Sequence, residues 1–265
     1  MPDTAPGVSP HATRHGAGRP VALITGASSG IGEATAELLG AEDRWLLLLN
    51  GRDEERLAAV AHRTGGIALP ADLSAPSGHE RLVREALECA GRVDALVAGA
   101  GIGWAGPLVE MPADAVDRLL TVNLTAVVHL VRLLLPHMVD RGSGRIVLVG
   151  SMAGSVGVAN EAVYAATKGA LQSFADSLRY ELADTRIKVG LVSPGAVDTP
   201  FFAHRGAPYH RERPRPVSAE RVARAVRCSL VRGREDIFVP GWLGLPSRLH
   251  GVAPGVFRAL AKRVG

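Results

Sequence analysis

The chain has 265 residues, of which 47% are hydrophobic and 21% are charged, and its net charge at pH 7 is +4. This composition is typical of a globular α/β protein with one substantial core, and we see no apolar run that approaches the roughly eighteen residues needed to span a bilayer. The arginines are dispersed without an aromatic platform or a binding motif, so no nucleic-acid partner is predicted.

The N-terminal residues 1–19 are rich in Pro, Gly, Ala and Thr and lack the apolar segment of a secretory signal. We therefore predict a disordered N-terminal tail, followed by a single domain over 20–265. The chain has 2 cysteines, which are too few for a disulfide framework, so a cytoplasmic location is expected.

From Val21 onward, short apolar runs alternate with helical patterns. Strands are predicted over 21–25, 45–50, 66–70, 93–98, 145–150, 187–192 and 236–239. Helices are predicted over 31–40, 53–63, 77–90, 113–139, 160–183 and 218–231. This alternation predicts a doubly wound parallel sheet of the Rossmann type, with about seven strands and with helices on both faces. Ligands of such sheets bind at the carboxyl ends of the strands.

A glycine loop follows the first predicted strand and reads Thr-Gly-Ala-Ser-Ser-Gly-Ile-Gly from Thr25 to Gly32. Glycines in this context let backbone N–H groups approach a pyrophosphate at the positive end of the following helix. A tight turn without a ligand is the alternative interpretation. The predicted cofactor contacts here are Gly26, Ser28, Ser29, Gly30, Ile31 and Gly32.

The end of the second strand bears on which dinucleotide is bound. An acidic residue at this tip would accept hydrogen bonds from the adenosine ribose, whereas Gly51 occupies it here and Arg52 follows. A guanidinium at this point would pair with the 2′-phosphate of NADP. Asp53 lies one place further on, in the first turn of the next helix. We predict a preference for NADP(H), with NAD(H) possible; the alternative is that Arg52 is a solvated loop charge.

Tyr164 and Lys168 are four residues apart in a predicted helix, and Ser151 lies thirteen residues before the tyrosine. Positions i and i+4 share one helix face, so the phenol and the ammonium are expected side by side. A nearby cation favours the phenolate and lowers the pKa of the tyrosine from about 10. Ser151, at a strand end, would orient a substrate oxygen.

These motifs, in this order and spacing, resemble the compact type of the short-chain dehydrogenase/reductase family from Arg19 to about Val239. The resemblance implies an acidic adenine contact at Asp72 with Leu73, and a catalytic tetrad of Asn123, Ser151, Tyr164 and Lys168. It also implies that the segment from Ser193 to Pro200 closes over the nicotinamide. The further cofactor contacts that it implies are Ala98, Gly99, Ala100, Tyr164, Lys168, Pro194, Gly195, Val197 and Thr199.

One segment departs from the family pattern. The family carries Asn-Asn-Ala-Gly after its fourth strand, whereas this chain has Ala98 and Gly99 and lacks both Asn side chains. The departure bears on local rigidity and on cofactor affinity, and no catalytic group is missing. The resemblance further implies that Lys168 holds the nicotinamide ribose and that Asn123 holds a water linking Lys168 to solvent.

Two later segments bear on the substrate. Residues 201–216 are predicted to form a mobile lid, and its four arginines are interpreted as solvated loop charges; the alternative is attraction of an anionic substrate or acyl carrier. Trp104, Phe201 and Phe202 suggest apolar walls and a hydrophobic carbonyl compound. The C-terminal extension 237–265 is interpreted as a cover for the cleft or a subunit contact, ahead of a membrane-surface helix.

The predicted function is an NADP-dependent ketoreductase or alcohol dehydrogenase acting on a carbonyl or secondary alcohol. The alternative is a dinucleotide-sensing regulatory protein without turnover, although such proteins tend to lose the Tyr-Lys pair. No metal site is predicted, because His204 and His210 have no ligand partners at useful spacing. Family relatives are commonly dimers or tetramers, so a homodimer or homotetramer through 113–139 and 160–183 is expected.

Overall fold

The structure, a computed structural model, describes residues 18–209 and 215–264. The predicted tail over 1–19 thus lies almost wholly outside the described residues, as do positions 210–214 of the predicted lid. Nine strands are formed within the described ranges: β1 Val21–Thr25, β2 Leu46–Gly51, β3 Ile67–Pro70, β4 Ala95–Ala98, β5 Gly144–Val149, β6 Ile187–Pro194, β7 Val197–Asp198, β8 Val217–Ser218 and β9 Asp236–Val239.

Seven of the strands form one sheet in the order β3-β2-β1-β4-β5-β6-β9, and every neighbouring pair in it is parallel. Its central strands are buried along their whole length, since helices cover both faces. The two-residue strands β7 and β8 pair separately and tie together the two ends of the lid segment. The predicted doubly wound, Rossmann-type sheet of about seven strands is confirmed.

The helices are α1 Gly30–Gly40, α2 Glu54–Thr64, α3 Gly78–Ala90, α4 Ala113–Leu120, α5 Ala126–Asp140, α6 Met152–Val156, α7 Ala162–Glu181, α8 Phe201–His204, α9 Ala219–Arg232, α10 Gly244–Val252 and α11 Pro254–Val264. Helices α3, α5 and α7 pack on one face of the sheet, through residues such as Leu82, Leu130 and Leu171. Helices α1, α2 and α9 pack on the other, through residues such as Leu39 and Leu57.

The helix predicted over 113–139 is present and contains an irregular turn. A π-helical turn, Thr121–Thr125, separates α4 from α5. The chain stays helical from Ala113 to Asp140, so the predicted helix is confirmed, and the extra residue in the unpredicted π-turn redirects the side chains between its two segments.

Within the same stretch, Ala113–Asp140, an 18-residue window has a mean hydropathy of 1.7, so the stretch is long and apolar enough to cross a membrane by those criteria alone. This departs from the expectation that no such run exists. Packing explains its composition, because Leu119, Leu130, Leu134 and Met138 are fully or almost fully buried within the protein.

The C-terminal extension begins within the sheet, since β9 already includes residues 237–239. A short 3₁₀ turn, Gly241–Leu243, follows, and then α10 and α11. Ala253 leaves the helical conformation before Pro254, because a proline disfavours helix at the residue preceding it. The result is a pair of short helices that turns back over the carboxyl edge of the sheet.

Candidate active site

A cavity of about 1760 Å³ opens at the carboxyl edge of the parallel sheet. Its walls come from the loops that follow the strands, together with α7, the lid and the C-terminal helices. The predicted site residues that line it are Gly26, Ser28, Ser29, Gly30, Ile31, Gly32, Arg52, Asp72, Leu73, Gly99, Ala100, Ser151, Tyr164, Lys168, Pro194, Gly195, Val197 and Thr199. Ala98 and Asn123 are not among the lining residues.

The glycine loop folds tightly at one end of this cavity. Gly26 has a φ of +71°, and a Cβ at Gly32 would lie 2.1 Å from the carbonyl oxygen of Gly26. Ser29 precedes α1 in an extended conformation and makes no side-chain cap. The first turn of α1 is therefore open toward the cavity, where its N–H groups and helix dipole suit a pyrophosphate.

After the tip of β2, the carboxylate of Asp53 caps the next helix and does not line up with a ribose as an acidic residue at the tip would. Its Oδ1 accepts a hydrogen bond of 3.0 Å from the backbone N–H of Arg56 and caps α2. Gly51 packs against Ser28, since a Cβ at Gly51 would lie 2.8 Å from the serine hydroxyl oxygen. Arg52 lines the cavity and makes no ion pair with any residue in the described part of the chain. These features suit a ligand phosphate beside Arg52.

Asp72 lines the cavity after β3, and its carboxylate is held by Ser74. The backbone N–H and the hydroxyl of Ser74 donate to Oδ1 at 2.8 and 2.7 Å. These hydrogen bonds lower the pKa of Asp72, and the positive charges of Arg52 and Arg118 lower it further. The group is therefore a fixed anion near the end of the cavity that Arg52 also lines.

The loop after β4 is held by a residue that the sequence reasoning missed. Thr25 Oγ1 accepts hydrogen bonds from the N–H groups of Gly99 and Ala100, at 3.1 and 3.2 Å. The threonine thus supplies rigidity at a point where the family's two Asn side chains are lacking. The sequence clue was its place as the last residue of β1, in register with Ala98.

Ala98 does not line the cavity, and its assignment as a cofactor contact stays a prediction. It is the last residue of β4, lies between Thr25 and Leu148 in the sheet, and its side chain is buried in the core. Only the next residues, Gly99 and Ala100, emerge at the sheet edge.

Asn123 lies in the π-helical turn and is completely buried. Its Oδ1 accepts from the N–H of Ile102 at 2.8 Å, and its Nδ2 donates to the Ile102 carbonyl at 2.9 Å. Nδ2 also donates to Thr167 Oγ1 at 3.4 Å, so both polar atoms of the amide are engaged within the protein, and the catalytic role of Asn123 stays a prediction. Its observed contacts fix the loop that passes beside Lys168.

Ser151, Tyr164 and Lys168 meet on the other side of that loop. Ser151 follows β5 and precedes α6, where its Oγ accepts from the N–H of Ala153 at 3.1 Å. Tyr164 hydrogen-bonds to Ser151, and Lys168 Nζ lies 5.8 Å from the centre of the tyrosine ring. The predicted convergence of the three side chains is present.

The protonation of the pair differs from the sequence expectation. Burial raises the pKa of Tyr164 to about 12, and this outweighs the hydrogen bond from Ser151, which lowers it. Burial also lowers the pKa of Lys168 to about 8. The lysine ammonium donates to the Val149 carbonyl at 2.9 Å, so it is directed toward the end of β5. A tyrosine pKa pulled toward neutrality by Lys168 was therefore a wrong expectation for this state of the protein.

The end of the cavity beyond Tyr164, away from the glycine loop, is lined mainly by apolar side chains. Trp104, Phe201 and Phe202 line it, as the sequence suggested, and the Phe201 ring lies 5.5 Å from the ring of Tyr164. The sequence reasoning did not single out the wall residues that come from the C-terminal segment, which are Trp242, Leu243, Pro246, Leu249, Phe257, Arg258 and Leu260. Such a wall suits a hydrophobic group attached to the reacting carbon.

Comparison with known proteins gives a consistent set of matches. A family model described as short chain dehydrogenase matches residues 20–209. An uncharacterized oxidoreductase of Staphylococcus epidermidis is 35% identical over 183 residues, which cover 68% of this chain and 79% of that protein. The range matched by the family model includes the glycine loop and the Ser151, Tyr164 and Lys168 cluster.

Two solved structures have the same architecture. A short-chain dehydrogenase from Sphingobium yanoikuyae in complex with NADPH matches with a TM-score of 0.78 at 30% identity, covering 89% of this chain and 95% of that one. The 3-ketoacyl-(acyl-carrier-protein) reductase from Brucella melitensis complexed with NADH matches with a TM-score of 0.77 at 30% identity, covering 83% of this chain and 96% of that one.

Proposed function

The chain belongs to the short-chain dehydrogenase family of NAD(P)-dependent oxidoreductases, and from this premise we propose that it interconverts a hydrophobic ketone and its secondary alcohol with NADP(H). One observation carries the proposal: Ser151, Tyr164 and Lys168 meet in the same cavity as the glycine loop and an apolar wall. Residues 20–265 act in this proposal as one catalytic unit.

A bound nicotinamide dinucleotide supplies the hydride. Ser151 and Tyr164 hydrogen-bond to the substrate carbonyl oxygen, and Tyr164 donates its proton as negative charge develops on that oxygen. The raised pKa of Tyr164 keeps the phenol protonated at neutral pH, which suits a proton donor in the direction of reduction.

The remaining members of the tetrad have supporting roles in the proposal. Lys168 holds the nicotinamide ribose, as in the family that the chain resembles. Asn123 fixes the Ile102 backbone, and a Cβ at Gly101 would lie within 4 Å of both Asn123 Oδ1 and Lys168 Nζ. This proximity supports the proposal that Asn123 holds a water linking Lys168 to solvent.

The proposed substrate is a ketone with a bulky apolar substituent, because aromatic and aliphatic side chains dominate the wall beyond Tyr164. The test is NADPH oxidation by the purified protein against ketones of increasing apolar size, including steroid, acyl-thioester and aromatic compounds. We expect kcat/KM to rise with apolar size. Absence of turnover with every compound despite tight NADPH binding would favour the second candidate, a dinucleotide-sensing protein, although the intact Tyr164 and Lys168 pair argues against it.

Arg52 supports the proposed preference for NADP(H). Changing Arg52 to Gln removes the charge next to the 2′-phosphate, and we expect the Kd for NADPH to rise by about 10- to 100-fold while that for NADH changes less than about twofold. Arg84→Gln is the matched control, since Arg84 is an exposed residue on α3 that does not line the cavity. Fluorescence titration of both cofactors measures the constants. Equal weakening of NADPH and NADH binding, or no change in either, would contradict the assignment of Arg52.

A further inference from the structure

A buried ion pair joins the lid to the helix that carries Tyr164. Arg205 follows α8, and its Nη1 donates to Oε1 of Glu161, the residue immediately before α7. The two side chains are only 9% and 15% exposed. The expectation that the arginines of the lid are solvated loop charges is therefore wrong for Arg205. In a buried pair, separating the partners leaves two uncompensated charges in a poorly solvated site. Because this is energetically costly, each side chain restrains the position of the other.

Arg205 also connects three walls of the cavity through its other groups. Its Nε donates to the Ala207 carbonyl at 3.0 Å, and its guanidinium lies 4.6 Å from the ring centre of Phe202. Its carbonyl oxygen accepts from the N–H of Ala105 at 3.1 Å, in the loop that follows β4. The next residue, Gly106, donates to the carbonyl of Asn160 at 2.9 Å, beside Glu161.

The described start of the lid, from Phe201 to Arg205, is packed closely in this position. A Cβ at Gly103 would lie 2.6 Å from Cζ of Phe201 and 3.0 Å from Cβ of Arg205, so only a glycine allows this approach. The Phe201 ring in turn lies against Tyr164. A shift of Arg205 would therefore move Phe201, and with it the surface that faces the Tyr164 hydroxyl.

On the basis of the proposed function, we propose that Arg205 and Glu161 form a positioning pair that seats the lid against α7 and so fixes where a substrate carbonyl meets Tyr164. Neither side chain reacts. Both act through Phe201 and through the start of α7.

The two charges of the pair also act on Tyr164 in opposite directions. Burial raises the pKa of Tyr164 most strongly and the hydrogen bond with Ser151 lowers it; Glu161 then raises it and Arg205 lowers it. Lys168 on the same helix, His204 and Tyr209 in the lid, and Arg258 on α11 are further titratable side chains that line this end of the cavity. Removing one charge of the pair and not the other therefore shifts the pKa of Tyr164 in a direction that depends on which charge is removed.

The experiment compares Glu161→Gln and Arg205→Met in the full-length protein by the pH dependence of kcat/KM for ketone reduction. We expect both variants to lose about 10- to 100-fold in kcat/KM, mainly through a higher KM, because the carbonyl is displaced from the tyrosine. Activity should fall first as Lys168 loses its proton near pH 8, and again at higher pH as the Tyr164 phenol, which reduction requires in its protonated form, loses its own. The second limb, which reports Tyr164, should move to lower pH in Glu161→Gln and to higher pH in Arg205→Met.

Two further variants separate positioning from general stability. Arg205→Lys keeps the positive charge, so its KM should lie between that of the wild type and the higher KM of Arg205→Met. Arg227→Met breaks a comparable ion pair, with Glu42, between residues that do not line the cavity. It should lower the melting temperature and leave KM and the pH profile unchanged. Limbs that move in the same direction in Glu161→Gln and Arg205→Met, or that do not move, would overturn the proposal.

A second readout does not depend on turnover. Hydrogen exchange at the Ala105 and Gly106 amides, measured by mass spectrometry, should be faster in Arg205→Met and Glu161→Gln than in the wild type or in Arg227→Met. If the wild type reduces no carbonyl, the proposed function fails while this exchange result still decides whether the pair seats the lid. Unchanged exchange in both variants would overturn the positioning role.

Discussion

Lys168 is an ammonium buried beside a backbone carbonyl, and its position favours function over stability. Burial lowers its pKa from 10.5 to about 8, because the charged form is poorly solvated there. An unfolded lysine keeps its proton up to a higher pH, so the folded state carries a penalty at pH 7. The penalty disappears as the pH rises from about 8 to 10.5. Active sites commonly contain such strained charges.

Replacing Lys168 with Met should abolish turnover and yet stabilise the protein. We expect the free energy of unfolding at pH 7 to increase by about 1–2 kcal/mol, since the removed penalty exceeds the lost hydrogen bond to Val149, and this gain should vanish near pH 10. Urea unfolding at the two pH values measures the difference. Lys188→Met, at an exposed lysine of β6, is the control and should show neither effect. A Lys168→Met protein that is less stable than the wild type at pH 7 would disprove the assigned penalty.

Features of the site that depend on local spacing were predictable from the sequence, whereas those that depend on burial or on distant contacts were not. Spacing along a helix places Tyr164 and Lys168 on one face, and the fold retains that relation. The protonation of the pair depends on solvent exposure, which spacing does not determine. Thr25 was missed because its two hydrogen bonds reach residues more than seventy positions away in the chain.

Among the secondary-structure elements, the C-terminal pair α10 and α11 is the part that most directly shapes the apolar end of the cavity. Strand ends and helix patterns were predictable because periodicity is local. A cover for the cleft was one of the interpretations that the sequence offered for this segment, but the side chains that would line the cavity were not predictable, because they depend on how the two helices pack over the sheet edge. The π-helical turn was missed for a related reason, since the hydrophobic pattern of 113–139 continues through it.

Phe257→Ala tests the proposed role of this wall. We expect the KM for a large apolar ketone to rise by about 10-fold, in line with the loss of aromatic burial, while the KM for a small ketone changes little. Val256→Ala is the control, because Val256 precedes it on α11, is 56% exposed and does not line the cavity. Steady-state kinetics with both ketones gives the comparison. Equal effects of the two variants would argue that α11 is only a structural cover.

At the scale of the whole molecule, the parallel sheet brings the sequence-distant site groups to one edge. The glycine loop, Asp72, Gly99, Ser151 and Pro194 lie at or just after the carboxyl ends of five different strands, and all of them line one cavity. This convergence was predictable from strand–helix alternation, because crossovers in such sheets are right-handed and all strands run the same way.

We expect the protein to assemble as a homodimer or homotetramer through the outer faces of α5 and α7. Exposed apolar residues on or near these helices, including Val139 and Tyr180, would then be covered. Light scattering coupled to size-exclusion chromatography should give two or four times the chain mass of 27.7 kDa. A Tyr180→Glu variant should shift the mass downward. A monomer mass for the wild type at micromolar concentration would refute this expectation.

The most direct test of the whole account is NADPH-dependent ketone reduction by Tyr164→Phe, compared with Tyr180→Phe on the same helix. Tyr180 is 81% exposed and does not line the cavity, so its variant should keep wild-type activity. We expect Tyr164→Phe to lose at least about 1000-fold in kcat while binding NADPH with unchanged affinity, because only the proton donor is removed. Retained turnover in Tyr164→Phe would contradict the assignment of the proton donor, and with it the proposed mechanism.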